Sequence, residues 1–236
     1  AVTLEQATTL TGRNVTFAST IDGAQSLSVN ASGVTTFNGA IGGTTALASL
    51  TTDAAGSVRV NGGAIRTAGA VALNDAATLG ANLTITTTNS NVLFGGTINS
   101  ADATGRDLTI NAGSGDIRLA AAVGSTRSLD AVTLNSTGET RLDGTMNLAS
   151  LTTNTDGTLA LNAGSVTASG DISFGDAVAL EKATTLTGQN VTFASSIDGA
   201  QALTVNASGV TTFNGAIGAT TALASLTTDA AGSVRV

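Results

Sequence analysis

Apolar residues recur along this chain in short runs of period two. Leu27-Ser-Val29, Val58-Arg-Val60, Leu83-Thr-Ile85, Leu108-Thr-Ile110, Ile117-Arg-Leu119, Val132-Thr-Leu134 and Leu203-Thr-Val205 all read apolar–polar–apolar. Alternation with β-branched residues sends one side of a strand inward and the other to water. Helical spacing is absent, and Gly and Thr are too dense for stable helices, so an all-β chain is predicted. Each of the six Phe has Ile or Val four residues later: Phe17–Ile21, Phe37–Ile41, Phe94–Ile98, Phe174–Val178, Phe193–Ile197 and Phe213–Ile217. Small or polar residues fill the gap, which reads as strand, tight corner, strand. A second mark is an apolar residue followed by Asn and small residues, at Asn30, Asn61, Asn111, Asn135, Asn162 and Asn206. Asn tolerates left-handed backbone, so these six are expected to stack in turns.

The pattern repeats on a longer scale. Ala1–Val60 and Ala177–Val236 agree at 53 of 60 positions. Leu47-Ala-Ser-Leu-Thr-Thr52 returns at Leu148–Thr153 and at Leu223–Thr228. Self-similarity of this kind marks a stacked array. The expected organisation is one continuous β-solenoid over residues 1–236, with a long repeat at 1–176 and a partial second copy at 177–236, read as a window on a longer repetitive protein. Strands this short cannot bury a face alone. Wound into coils of about 20–24 residues and stacked at about 4.8 Å, they share one interior. A right-handed parallel β-helix is therefore expected, with the twelve Phe, Ile and Val residues of the corner units forming internal ladders. Tandem Ig-like β-sandwiches are the alternative. Echoes at roughly 80 to 100 residues suit their size, but sandwich cores usually carry large aromatics, and this chain has no Trp or Tyr.

Composition narrows the chemistry. The formal charge is −7 with nine scattered Lys and Arg, so neither nucleic acid nor anionic lipid is an expected partner. No apolar run is long enough to span a bilayer. The chain has no Cys and no His, which removes disulfides, thiolate metal sites and the Ser-His-Asp triad. The single lysine, Lys182, is replaced by Gln6 in the first copy and reads as a surface charge. Asp22, Asp53, Asp116, Asp143, Asp171 and Asp176 are the carboxylates to consider for glycoside cleavage, yet most sit beside Gly or Ala, where Asp makes turns. Gly113-Ser-Gly115-Asp116 and Gly170-Asp171 faintly resemble calcium-roll motifs but lack tandem neighbours. Ice recognition would need Thr-x-Thr in every coil, and only Leu83–Thr88 offers it locally. Sequons at Asn14, Asn30, Asn82, Asn135, Asn190 and Asn206 follow from composition. No catalytic, metal or cofactor-binding residue is assigned, and no cofactor is expected.

Asn14-Val-Thr-Phe17…Ile21-Asp-Gly23, Leu27-Ser-Val-Asn-Ala31 and Leu47-Ala-Ser-Leu-Thr-Thr52 resemble the β-strand repeats of large bacterial surface proteins, the filamentous-haemagglutinin-like and autotransporter-type adhesins. The resemblance covers the whole chain. It implies a secreted β-helical shaft at the cell surface that builds a fibre or positions binding regions, without enzymatic activity. Its implied partners are further repeats of the same polypeptide, other copies in a fibre, and a cell-surface or glycan target bound by regions outside this segment. A carbohydrate- or ice-binding module and a polysaccharide-degrading β-helix enzyme are the other functions weighed.

Overall fold

A computed structural model describes residues 1–236. It contains 30 short strands and no helix. All pairings are parallel, and the strands wind into a β-solenoid of about 12 turns. Parallel pairing excludes the Ig-like alternative, whose sheets are antiparallel. No helix is long and apolar enough to cross a membrane. Coil lengths range more widely than the sequence suggests. Paired residues lie 19 positions apart at Thr140–Leu159 and 25 apart at Val92–Ile117. Corners between strands absorb the difference.

Each coil contributes to three faces. Face I stacks ten strands, from Thr8–Gly12 through Val71–Leu73 and Glu139–Leu142 to Ile197–Asp198. Face II starts at Val15–Phe17 and Val34–Phe37 and continues through the bridges at Val123 and Met146 to Ser165–Ala168 and Ala202–Ala207. Face III runs from Ile21 through Ile65 and Ile110 to Phe193 and Phe213. The eight-residue strand Met146–Thr153 bends round one corner and serves two faces: its start pairs with Val166 and its end with Phe174. Inward side chains of all three faces form one core cluster of 52 buried residues running along the axis. Removing each large aliphatic side chain from water contributes about 1.5–3 kcal/mol, and a coil gains this only by lying against its neighbours.

The two copies of the repeat do not stack in line. Thr8–Gly12 of the first copy lies on face I, whereas its counterpart Thr184–Gly188 lies on face II. Val15–Phe17 belongs to face II and Val191–Phe193 to face III. Ile21–Asp22 belongs to face III and Ile197–Asp198 to face I. All three faces advance by one. From Ile21 the face III register climbs through Ile41, Ile65, Ile85, Ile110, Leu134, Thr153 and Phe174 to Phe193, and Ile197 follows on face I. The repeat is thus eight coils and one further face.

This offset sets where the internal columns run. The Phe residues are divided among the three faces. Phe17 and Phe37 stack on face II with centroids 5.2 Å apart. Phe174, Phe193 and Phe213 form a column on face III, the first pair tilted by 46° at 5.5 Å and the second stacked at 5.2 Å. Phe94 stands alone on face I between Leu73 and Leu119. On face III the ladder changes from Ile21, Ile41 and Ile65 to Phe174, Phe193 and Phe213 as it climbs. Ile98 and Val178 are buried in the registers of faces II and I. Ile197 leads to Ile217, which is only partly buried.

The turn placement expected for the Asn residues needs correction. Asn30, Asn111, Asn135 and Asn206 lie within strands, with only Asn61 and Asn162 in turns. None of the six has positive φ; among non-glycine residues only Asn89 and Asp156 do. Four of them, Asn61, Asn111, Asn135 and Asn162, bond across coils through their amides. Asn135 Nδ2 donates to Asn111 Oδ1 at 2.8 Å, and Asn61 Nδ2 to Asn38 Oδ1 at 2.7 Å. Stacking at one-coil spacing lets Asn135 donate to Asn111 directly below it.

Candidate functional site

The outward positions of face I change character along the rod. In register they read Thr51, Ala72, Leu93, Arg118, Arg141 and Ala160. Small side chains beside two arginines leave a hollow. This groove, of about 420 Å³, has Ala70, Ala72 and Leu93 on its floor and Asn91, Asp116, Arg118, Glu139 and Arg141 around it.

Its charged wall is extensively cross-linked. Asp143 Oδ1 accepts from Arg141 Nε at 2.9 Å and from Asn162 Nδ2 at 2.9 Å, and its Oδ2 accepts from Arg118 Nε at 2.8 Å. Arg141 also reaches Glu181, donating from Nη1 at 2.9 Å. Burial works against ionisation of Asp143, but Asn162 and the two guanidinium groups outweigh it and hold the carboxyl below its usual range. The bond to Glu181, aided by the surrounding carboxylates, raises Arg141 further above its ordinary value. Arg118 spends only Nε on this network and is more than half exposed. Its Nη groups are the donors left for a ligand, and the Asp116 and Glu139 carboxylates are acceptors near them. The groove therefore offers donor, acceptor and apolar floor to a hydroxyl-bearing molecule.

The sequence-chosen carboxylates are dispersed, and most serve the backbone one coil away. Asp22 Oδ1 accepts from the amides of Thr44 and Thr45 at 2.7 and 3.1 Å. Asp53 accepts from Ala31 N, Asp116 from Glu139 N and Asp171 from Asn190 N. Asp176 Oδ1 accepts from Gly157 N at 2.9 Å. Each satisfies a backbone donor at or beside a strand end. Asp116 also lines the groove, and Asp143 joins its charged wall through Arg118 and Arg141. No three side chains gather in a way that could hold a metal ion. Of the sequon residues, Asn14 and Asn190 cap Val34 N and Val210 N, and Asn82 bonds to Asp107.

Two arrangements were missed in the sequence. One is the Arg118–Arg141–Asp143 network, hinted at only by arginine in the outward position of Ile117-Arg-Leu119. The other is a Thr column on face III, where Thr84, Thr109, Thr133, Thr152, Ser173, Thr192 and Thr212 face outward in register. Two residues further along each strand the row reads Thr86, Asn111 and Asn135, so a second Thr column does not accompany it.

No known family, characterised protein or solved structure matches this chain.

Proposed function

We propose that this chain is a shaft segment of a secreted bacterial surface protein, a structural or adhesive fibre without enzymatic activity. The observation that carries the reading is the near-identical 60-residue copy, which re-enters the same coil geometry on the next face without interrupting the core. A stack that accepts its own sequence on any face can be extended by duplication, as a spacer requires. Axial backbone ladders give such a rod stiffness, and its partners would be further repeats and other copies of the protein. Electron microscopy of the native assembly tests this. A surface-attached rod with axial spacing of about 4.8 Å is expected. A compact cytosolic particle would sink the proposal.

The groove beside Arg118 favours a second reading, a carbohydrate-binding module. Titration calorimetry with neutral oligosaccharides should then give heat that Arg118→Ala abolishes. Equal heats for both proteins would remove it.

A further inference from the structure

Two carboxylates lie inside the wall of the rod. Asp75 and Asp176 are each 1% exposed. They occupy matching corners, Leu73-Asn-Asp-Ala76 and Phe174-Gly-Asp-Ala177. Beneath each lies the Thr that ends a Leu-Thr-Thr strand. Thr52 Oγ1 accepts from Asn74 N at 3.2 Å, and Thr153 Oγ1 accepts from Gly175 N at 3.1 Å. Both oxygens of Asp75 and Oδ2 of Asp176 are enclosed without a hydrogen-bond partner. The coil below supplies a like charge to each, Asp53 to Asp75 and Asp156 to Asp176, and no cation acts on either. The coil above Asp75 brings Gly95 and Gly96, and the coil above Asp176 brings Ala194 and Ser195, all uncharged.

An ionised carboxylate in such a place is costly, because too few donors replace the water it has lost. The protonated acid is neutral and can donate to the threonine oxygen one coil below. No metal-binding set surrounds either residue, and a proton needs no cavity. We propose that Asp75 and Asp176 are proton-operated locks at two corners of the solenoid, tightening the contacts between adjacent coils as the medium becomes more acidic.

The electrostatics agree in direction. Burial raises both carboxyls above their ordinary value of 3.8, with the nearby threonine hydroxyls, and Gly157 N for Asp176, offsetting only part of it. A group raised on folding binds its proton more tightly in the folded state. Its contribution is therefore complete below 3.8 and is lost as pH rises through the higher folded value. This is the reverse of ordinary acid unfolding.

Denaturation of the 236-residue chain between about pH 8 and about pH 4.5, compared with Asp75→Asn/Asp176→Asn, tests the proposal. The wild-type melting point should rise on acidification by roughly 2–4 °C or more. The double variant keeps the shape without the charge, so it should lose most of that rise and match or exceed wild type at pH 8. General relief of negative charge acts on both proteins and cancels in the comparison. Hydrogen exchange at residues 74–77 and 175–178 of the wild type, corrected for intrinsic rates, should slow in acid, a readout that survives if the variant fails to fold. Equal slopes in the two proteins, or unchanged protection at these corners, would overturn the proposal. Stabilisation by calcium at pH 8 that the variant lacks would also overturn it, because the corners would then be cation sites.

Discussion

Residues 1–60 and 177–236 place nearly the same sequence on different faces of one rod, and their corner contacts survive the move. Asp22 caps the Thr44 and Thr45 amides, and Asp198 caps those of Thr220 and Thr221. Asp53 caps Ala31 N as Asp229 caps Ala207 N. Asn14 and Asn190 do the same for Val34 and Val210. What differs is the company inside. Phe37 lies between Phe17 and Val60, whereas Phe193 lies between Phe174 and Phe213. Corner chemistry is therefore written locally, and the three faces are interchangeable seats for it. The stability drawn from each seat depends on which coils lie above and below.

The sharpest test uses those rings. Phe193→Ala removes a side chain with neighbours on both sides and should cost about 3–5 kcal/mol. Phe37→Ala, with a ring on one side and Val60 on the other, should cost less, about 3 kcal/mol. Denaturant midpoints read the difference, and equal losses would mean that the stacking partners contribute little.

A glycine pair comes next. Gly42 and Gly105 share left-handed backbone, with φ of 69° and 77°. An added Cβ at Gly42 would meet Arg66 O at 2.1 Å, whereas at Gly105 the nearest atom is Asp130 Cβ at 3.1 Å. Alanine at Gly105 should cost about 1 kcal/mol in backbone strain. Alanine at Gly42 must also displace the coil above and should cost about 3 kcal/mol in total. Matching melting curves for the two variants would remove neighbour contact as the cause.

Ion pairing distinguishes the middle from the copies, since four of the five salt bridges lie among residues 102–143 and the fifth joins Arg141 to Glu181. These groups are partly exposed and screened. Arg141→Ala should therefore cost only about 1 kcal/mol, and less in high salt. Thermal melts at low and high ionic strength measure both effects.

The smallest effect is at the acid end. Asp143 is held below 3.8, so its contribution is present above that value and is lost as pH falls through the lower folded value. Below 3.8 the curve should turn downward, and Asp143→Asn should soften that turn.

The strands and the Phe–x–x–x–Ile corners were legible because alternation and small residues act over a few positions. Asp22 beside Gly23 could be recognised as a turn former for the same reason. The advance by one face was hidden. Coil lengths vary from 19 to 25 residues, so a 176-residue period cannot be divided into turns without the register. Groove and Thr column were concealed likewise. Ala72, Leu93, Arg118 and Arg141 are neighbours only after stacking, and nothing local ties Thr84 to Thr109. Asp176 appeared in the sequence as one more turn acid. Its enclosure depends on the coils above and below, which no short motif records.

The eight-coils-and-one-face step also governs what a neighbour sees. Matching patches of the two copies are about 40 Å apart along the axis and point in different directions. A flat partner lying along one side can touch only one of them. Three such steps would return a patch to its first direction after about 120 Å. Duplication of this sequence thus works like a spiral stair, with identical treads turned around the column, and suits a rod approached from every side more than one laid against a single wall.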